Sequence, residues 1–179
     1  MGENKAFLDF GGQTLLARGL AELGSVCDQV AIVGDPAIFA SCGPVVADVF
    51  AGCGPLAGIH SALTHSSAKL NLMLAVDMPF VTRQLLSFLF GVAAEGDAVV
   101  TVPRTARGLQ PLCAVYRRDF AAVAEEYLRA GRYKVDAAFA SLPLRVIDAS
   151  ELARAGFSEK SFFNVNTPQE RQNAEDLTF

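Results

Sequence analysis

The residue in this chain best placed to do chemistry is an aspartate that closes an apolar run. Asp77 follows "LNLMLAV" (70–76) and precedes Met78-Pro79-Phe80. A continuous apolar run of this kind reads as a strand buried on both faces. Its terminal carboxylate then faces the crevice past the strand's carboxyl end, where open α/β sheets bind ligands. Pro79 fixes the turn that aims it. One carboxylate plus substrate phosphates is a usual way to hold Mg²⁺, because the ion keeps several waters. The competing reading is an aspartate that only caps the following turn or helix.

Other residues fit the same crevice. Asp48 closes a second expected strand and precedes "VFAGCGPLAG", which carries Gly52, Gly54, Pro55, Leu56 and Gly58. Glycines ahead of a helix let backbone approach a ligand closely, and helix N-termini favour anions. As a motif this is weak, since many helices start with Gly and Pro. Lys5 stands in a polar opening loop and signals nothing by itself. Asn164 and Asn166 flank Val165 in "FFNVNT", where asparagines also satisfy local backbone groups. Arg104, Arg107, Arg132 and Lys134 lie in or beside loops and suit either an anionic second substrate or a solvated surface.

Several function classes fall away. Neither a P-loop signature nor a dinucleotide-binding glycine fingerprint is present, and no Ser/His/Asp set is suggestively spaced. The chain carries 15 Lys+Arg against 19 Asp+Glu, a net charge of −4, with no basic run. A nucleic-acid surface is therefore not expected. An anionic substrate would need a metal or a local cluster of cations. The four cysteines form no C-x-x-C pair and read as reduced, mostly buried thiols. The two histidines, His60 and His65, do not share a helix face and read as structural or surface residues. No apolar stretch approaches the ~18 residues of a membrane span. With no secretory signal pattern at its start, the expected compartment is the cytoplasm.

The elements that must position these residues alternate. A length of 179 residues, 51% of them hydrophobic, suits one domain with an ample core. Helices are expected over 13–23, 55–65, 82–96, 118–131 and 134–142. Strands are expected over 29–34, 44–49, 70–76, 97–103, 111–116 and 143–148. A capping box, Thr167-Pro168-Gln169-Glu170, opens a last helix. Alternation of this kind predicts a three-layer α/β sandwich with a mostly parallel, Rossmann-like sheet.

Taken in order, "MGENKAFLDFGGQTLL", "VADVFAGCGPLAGI", "LAVDMPF", "GLQPLCAVY" and "FFNVNTPQE" resemble the molybdenum cofactor guanylyltransferase family. The resemblance spans nearly the whole chain. "DMPF" and "GPLAG" also suit related nucleotidyltransferases, and "NVNTPQE" favours the molybdenum cofactor branch. It implies transfer of GMP from GTP to molybdenum-molybdopterin, with release of pyrophosphate. It implies Asp77 as the Mg²⁺ ligand and Lys5 as a phosphate contact. Asp48, Gly54, Pro55, Leu56 and Gly58 would line the nucleotide pocket. Asn164 and Asn166 would order the region of the second substrate. Other molybdenum cofactor proteins would be partners.

The resemblance also carries two departures. In this family a buried strand and a glycine-rich loop precede the lysine, and here Met1-Gly2 looks like the end of that signature. The expectation is one domain over 1–179, N-terminally incomplete relative to the family, with a start placed too late. The family's polar guanine-reading residue after the second strand falls at Val33 or Gly34. Cytidylyl transfer to the same pterin therefore stays open, as does a non-catalytic nucleotide-fold remnant.

Overall fold

The computed structural model describes residues 4–140 and 142–165. Asn4 caps a 3-10 turn over Lys5–Phe7, accepting the Ala6 amide hydrogen at 3.1 Å. A tight hairpin follows, β1 (Asp9–Phe10) against β2 (Gln13–Thr14). Gly11 and Gly12 turn it at φ 64° and 85°. A two-residue hairpin loop of this kind needs positive φ at both positions, which glycine supplies without strain. Thr14 then caps α1 (Leu15–Gly24) through the Ala17 amide at 3.1 Å.

Next come β3 (Ile32–Val33), α2 (Pro36–Phe39) and β4 (Val45–Val46), with β3 and β4 paired in parallel. α3 (Pro55–His65) leads to β5 (Leu70–Leu74), and α4 (Arg83–Glu95), capped by Thr82, leads to β6 (Val100–Thr105). A hairpin carries β6 into β7 (Gly108–Leu109), and β8 (Cys113–Arg117) follows. α5 (Phe120–Arg129), α6 (Val135–Ala138), β9 (Leu144–Ile147), α7 (Ala149–Arg154) and a 3-10 turn over Glu159–Phe162 complete the described chain.

The main sheet runs β5–β8–β6–β9. β8 is antiparallel to both β5 and β6, while β6 and β9 are parallel. β5, β6 and β9 thus point one way and β8 the other. The reversal follows from the connection: β6 reaches β8 through a hairpin and a short loop, with no crossover helix to return the chain.

Helices cover both faces. Leu56, Ile59 and Leu63 of α3 and Phe120 and Ala124 of α5 pack on Val100, Val102, Ala114 and Tyr116. Leu85, Leu86 and Leu89 of α4 and Leu152 of α7 pack on Cys113, Val115 and Ile147. Successive strand residues serve opposite layers, as the two-residue period requires. Each fully buried leucine contributes ~1.5–3 kcal/mol relative to exposure. All four cysteines are free. No helix among the described residues is long and apolar enough to cross a membrane.

Most expected elements are present, with differences at their ends. The helix expected over 134–142 is confined to Val135–Ala138. Pro143 explains part of this, since the residue before a proline avoids the helical region. The strands expected over 29–34 and 44–49 shrink to two residues each. The hairpins β1–β2 and β6–β7 and the short helices α2 and α7 carry too few residues to show a periodicity. The expected capping box at 167–170 lies outside the described residues.

Candidate active site

The loop after β5 is the centre of the site. Asp77 is half-buried there. Burial pushes its carboxyl above the usual carboxylate range, while the Lys5 ammonium and its own backbone N–H pull the other way. Lys5 itself is exposed, at the start of the first 3-10 turn. A desolvated carboxylate favours further positive charge beside it. Among the described residues no group of three or more His, Cys, Asp or Glu could hold a metal. A lone carboxylate such as Asp77 could hold only an ion of the Mg²⁺ kind, which takes one carboxylate and fills its other positions with phosphate oxygens and water.

Neighbouring segments fix this loop. The Val165 amide donates to the Asp77 carbonyl at 2.8 Å. That bond brings half-buried Asn164 beside the same turn. Asn166 lies outside the described residues. Phe80 meets Phe10 edge-on at 5.7 Å and Phe163 at 6.4 Å. Phe10, Leu15 and Val165 form the buried base of this cluster. The β1–β2 hairpin, the Asp77 loop and the last described segment are thus one packed unit.

Arg18 is the residue that sequence reasoning missed. Its Nε donates to the Pro79 carbonyl at 2.5 Å, and its guanidinium lies 5.7 Å from the Phe10 ring centre. One turn on, Glu22 accepts the Arg83 amide hydrogen at 2.5 Å and so anchors the start of α4. The available signal was an arginine one turn after buried Leu15 on an apolar helix face.

A second group surrounds the start of α3. Gly54 adopts φ 74°, ψ −161° and caps the helix without a side-chain bond. That region is essentially glycine-only. Pro55 occupies the first turn, where its missing N–H costs nothing. A side chain at Gly58 would lie 3.8 Å from Val33 Cγ1 and 4.0 Å from Asp48 Oδ1. Asp48 is exposed, and the next amide, Val49, donates to Ser61 Oγ at 2.9 Å. Leu56 is fully buried in the core, so only its backbone is available to a ligand. Neither candidate for base reading offers a polar side chain. Val33 faces α3, and a Cβ on Gly34 would meet the Phe39 ring at 2.9 Å.

The candidate cations separate. Arg107 lies 5.3 Å from the Phe163 ring centre and Lys160 lies 5.2 Å from that of Phe80. Both line a cleft of about 130 Å³ with Thr105 and Glu159. Arg104 is exposed, Arg132 covers the Tyr127 ring, and Lys134 precedes α6. Of the four, Arg107 is the one this aromatic cluster holds.

Known proteins share this fold. The family model of the MobA-like NTP transferase domain matches residues 1–146. Molybdenum cofactor guanylyltransferase from Desulfosudis oleivorans is 34% identical over 176 residues, covering 97% of this chain and 87% of that one. The crystal structure of molybdopterin-guanine dinucleotide biosynthesis protein A from Archaeoglobus fulgidus superposes with a TM-score of 0.86 at 25% identity, covering 99% of this chain and 91% of that one. A cytidylyltransferase acting on 2-C-methyl-D-erythritol 4-phosphate, from Thermus thermophilus, shares the fold with a TM-score of 0.72 at 21% identity, covering 97% and 93%. With that match to the family model and a likeness that spans nearly all of this chain, the chain belongs to the MobA-like NTP transferase family, in its molybdenum cofactor guanylyltransferase branch.

Proposed function

We propose that this chain transfers GMP from GTP to molybdenum-molybdopterin and releases pyrophosphate. The observation that carries the reading is Asp77. It is a half-buried carboxylate in the turn after β5, opposed by Lys5 and tied by its backbone to the segment that bears Asn164. A phosphate oxygen of the pterin attacks the α-phosphorus of GTP, and the bond to the pyrophosphate oxygen breaks. Such transfer depends on positioning and charge neutralisation more than on covalent catalysis.

The roles of this chain's residues follow. Asp77 would hold Mg²⁺, which supplies positive charge beside the phosphates. Lys5 adds a point charge to the same phosphates. The glycine-capped start of α3 gives backbone N–H groups to the nucleotide, and Asp48 and Gly58 border that pocket. Asn164, with Asn166, orders the acceptor side. Arg107, held beside Phe163, would supply a counter-charge for the acceptor phosphate. The compartment this reading implies is the cytoplasm, with other molybdenum cofactor proteins as partners.

Thermal denaturation with GTP tests the assignment. GTP with Mg²⁺ should raise the unfolding temperature, and GTP without the metal should do so far less. Asp77→Ala should remove the metal-dependent part. A metal-dependent gain that survives Asp77→Ala would take Asp77 out of the role.

A further inference from the structure

The loop from Asp48 to Gly54 borders the start of α3, and its bulkiest side chain is Phe50. Gly52 and Gly54 both adopt positive φ, at 77° and 74°. Two amides of the loop are bonded: Val49 donates to Ser61 Oγ at 2.9 Å, and Cys53 to the Phe50 carbonyl at 3.3 Å. Phe50 adds a side-chain hold. It is half-buried against the cluster that α3 and α5 share.

Four side chains, Phe50 among them, form a closed circuit. The Phe50 ring meets the His60 imidazole with 5.2 Å between centres and 73° between planes. The Arg129 guanidinium lies 5.8 Å from the centre of the same Phe50 ring. Glu125 joins these two contacts. Its Oε1 accepts from Arg129 Nε at 2.9 Å and from Nη2 at 2.6 Å, and its Oε2 lies 3.9 Å from His60 Nε2. Arg129 and, to a smaller degree, His60 hold the Glu125 carboxyl below the usual carboxylate range. Glu125 is therefore a full negative charge at neutral pH.

An exposed i, i+4 ion pair on a helix is common and weak. Two features set this one apart. Its second carboxylate oxygen turns to another helix, α3, and both of its partners touch one ring. The other feature is the cost of His60. The residue is 4% exposed, and among the described residues its Nδ1 is the one buried side-chain nitrogen or oxygen with no partner. A leucine at this place in α3 would avoid that penalty. The imidazole supplies what leucine lacks, an aromatic contact for Phe50 and a polar nitrogen for Glu125 and for Thr64 Oγ1, 3.4 Å away.

We infer that Glu125 is a positioning residue for the nucleotide pocket: through Arg129 and His60 it seats Phe50, and so fixes the loop from Asp48 to Gly54. The role rests on the assignment of that pocket to GTP. Phe50 stands two residues after Asp48 and four before Gly54, so a shift of its ring moves the backbone of both. Glu125 acts only through these neighbours.

The sign of the effect separates positioning from plain electrostatics. The chain carries a net charge of −4, so removing a negative charge should by itself favour an anion. Positioning predicts the reverse. GTP with Mg²⁺ would be titrated into the chain and into Glu125→Gln, Phe50→Leu and the double variant. Glu125→Gln should weaken GTP on the order of tenfold, raising KM while kcat at saturating GTP changes less. The double variant should bind no more weakly than Phe50→Leu alone, as members of one circuit do. Glu126→Gln, the same charge change on an exposed neighbour, should not weaken GTP. Unchanged or tighter binding by Glu125→Gln, or additive losses in the double variant, would overturn the inference. Hydrogen exchange without nucleotide gives a separate answer. The Val49 and Cys53 amides should exchange faster in Glu125→Gln, while those of Leu85–Leu89 in α4 stay as they are. Equal exchange at Val49 and Cys53 in both chains would also overturn it. Should the unmodified chain bind no GTP, the transfer reading fails, and exchange alone decides whether Glu125 seats the loop.

Discussion

Replacing Arg18 should cost stability and turnover together. Its Nε–H bond to the Pro79 carbonyl is short, charge-assisted and partly buried. A hydrogen bond to a charged group contributes ~1.5–3 kcal/mol, with the lower half apt for a partly exposed pair. The guanidinium over Phe10 adds about 0.5–1 kcal/mol. Arg18→Met keeps the aliphatic stem and should lose about 2 kcal/mol. For a chain of this size that lowers Tm by ~4–8 °C. Arg18→Lys keeps a charge over the ring without the planar fork and should recover part of the loss. Combining Arg18→Met with Phe10→Leu should reveal a coupling of about 0.5–1 kcal/mol. Because the bond holds Pro79, the freed loop lets Asp77 drift, and a displacement near 1 Å costs kcat up to ~100-fold. The GTP KM should move less. Urea denaturation and initial rates measure both. A loss under ~0.5 kcal/mol for Arg18→Met, within the range of ordinary surface changes, would refute the anchoring role.

Three further outcomes follow from the same geometry. Asp77→Asn should inactivate the protein yet stabilise it by about 1 kcal/mol at neutral pH, as changes at strained functional sites commonly do. The raised folded-state pKa means the Asp77 carboxylate penalises folding above the carboxylate range and not below it. The variant's advantage should therefore shrink as pH falls through that range; an advantage that grows in acid contradicts the burial argument. Gly54→Ala should lose on the order of 1–3 kcal/mol from backbone strain alone, since nothing lies within 4 Å of the added Cβ, and an unchanged Tm with unchanged GTP affinity would count against that turn. Cys113 is fully buried, which pushes its thiol up to about 12; alkylation at pH 8 should spare it until denaturant is added, and rapid native labelling would show that layer of the core to be open.

How much was legible in the sequence depended on length and period. α3 and α4 carry enough turns for their spacing and their Pro55 and Thr82 starts to fix them nearly to the residue. Asp77 was visible because an apolar run ended on a carboxylate. The pairing of β8 was not, because a buried strand reads the same in either direction. Arg18 was hidden because its partner is a backbone carbonyl 61 positions away, and carbonyls have no letter. β3 and β4 looked longer in sequence than they are, since β-branched residues state a preference that only a neighbouring strand can satisfy.

The central claim is the nature of the product. The chain would be incubated with Mg²⁺, molybdenum-molybdopterin and GTP, CTP or ATP in turn, and the pterin products read by mass spectrometry alongside released pyrophosphate. The account predicts a guanine dinucleotide of the pterin, one pyrophosphate per product, and no product with Asp77→Ala. A cytosine dinucleotide formed in preference would replace guanylyl with cytidylyl transfer. Pterin left unmodified by the chain with every nucleotide would contradict the catalytic reading altogether.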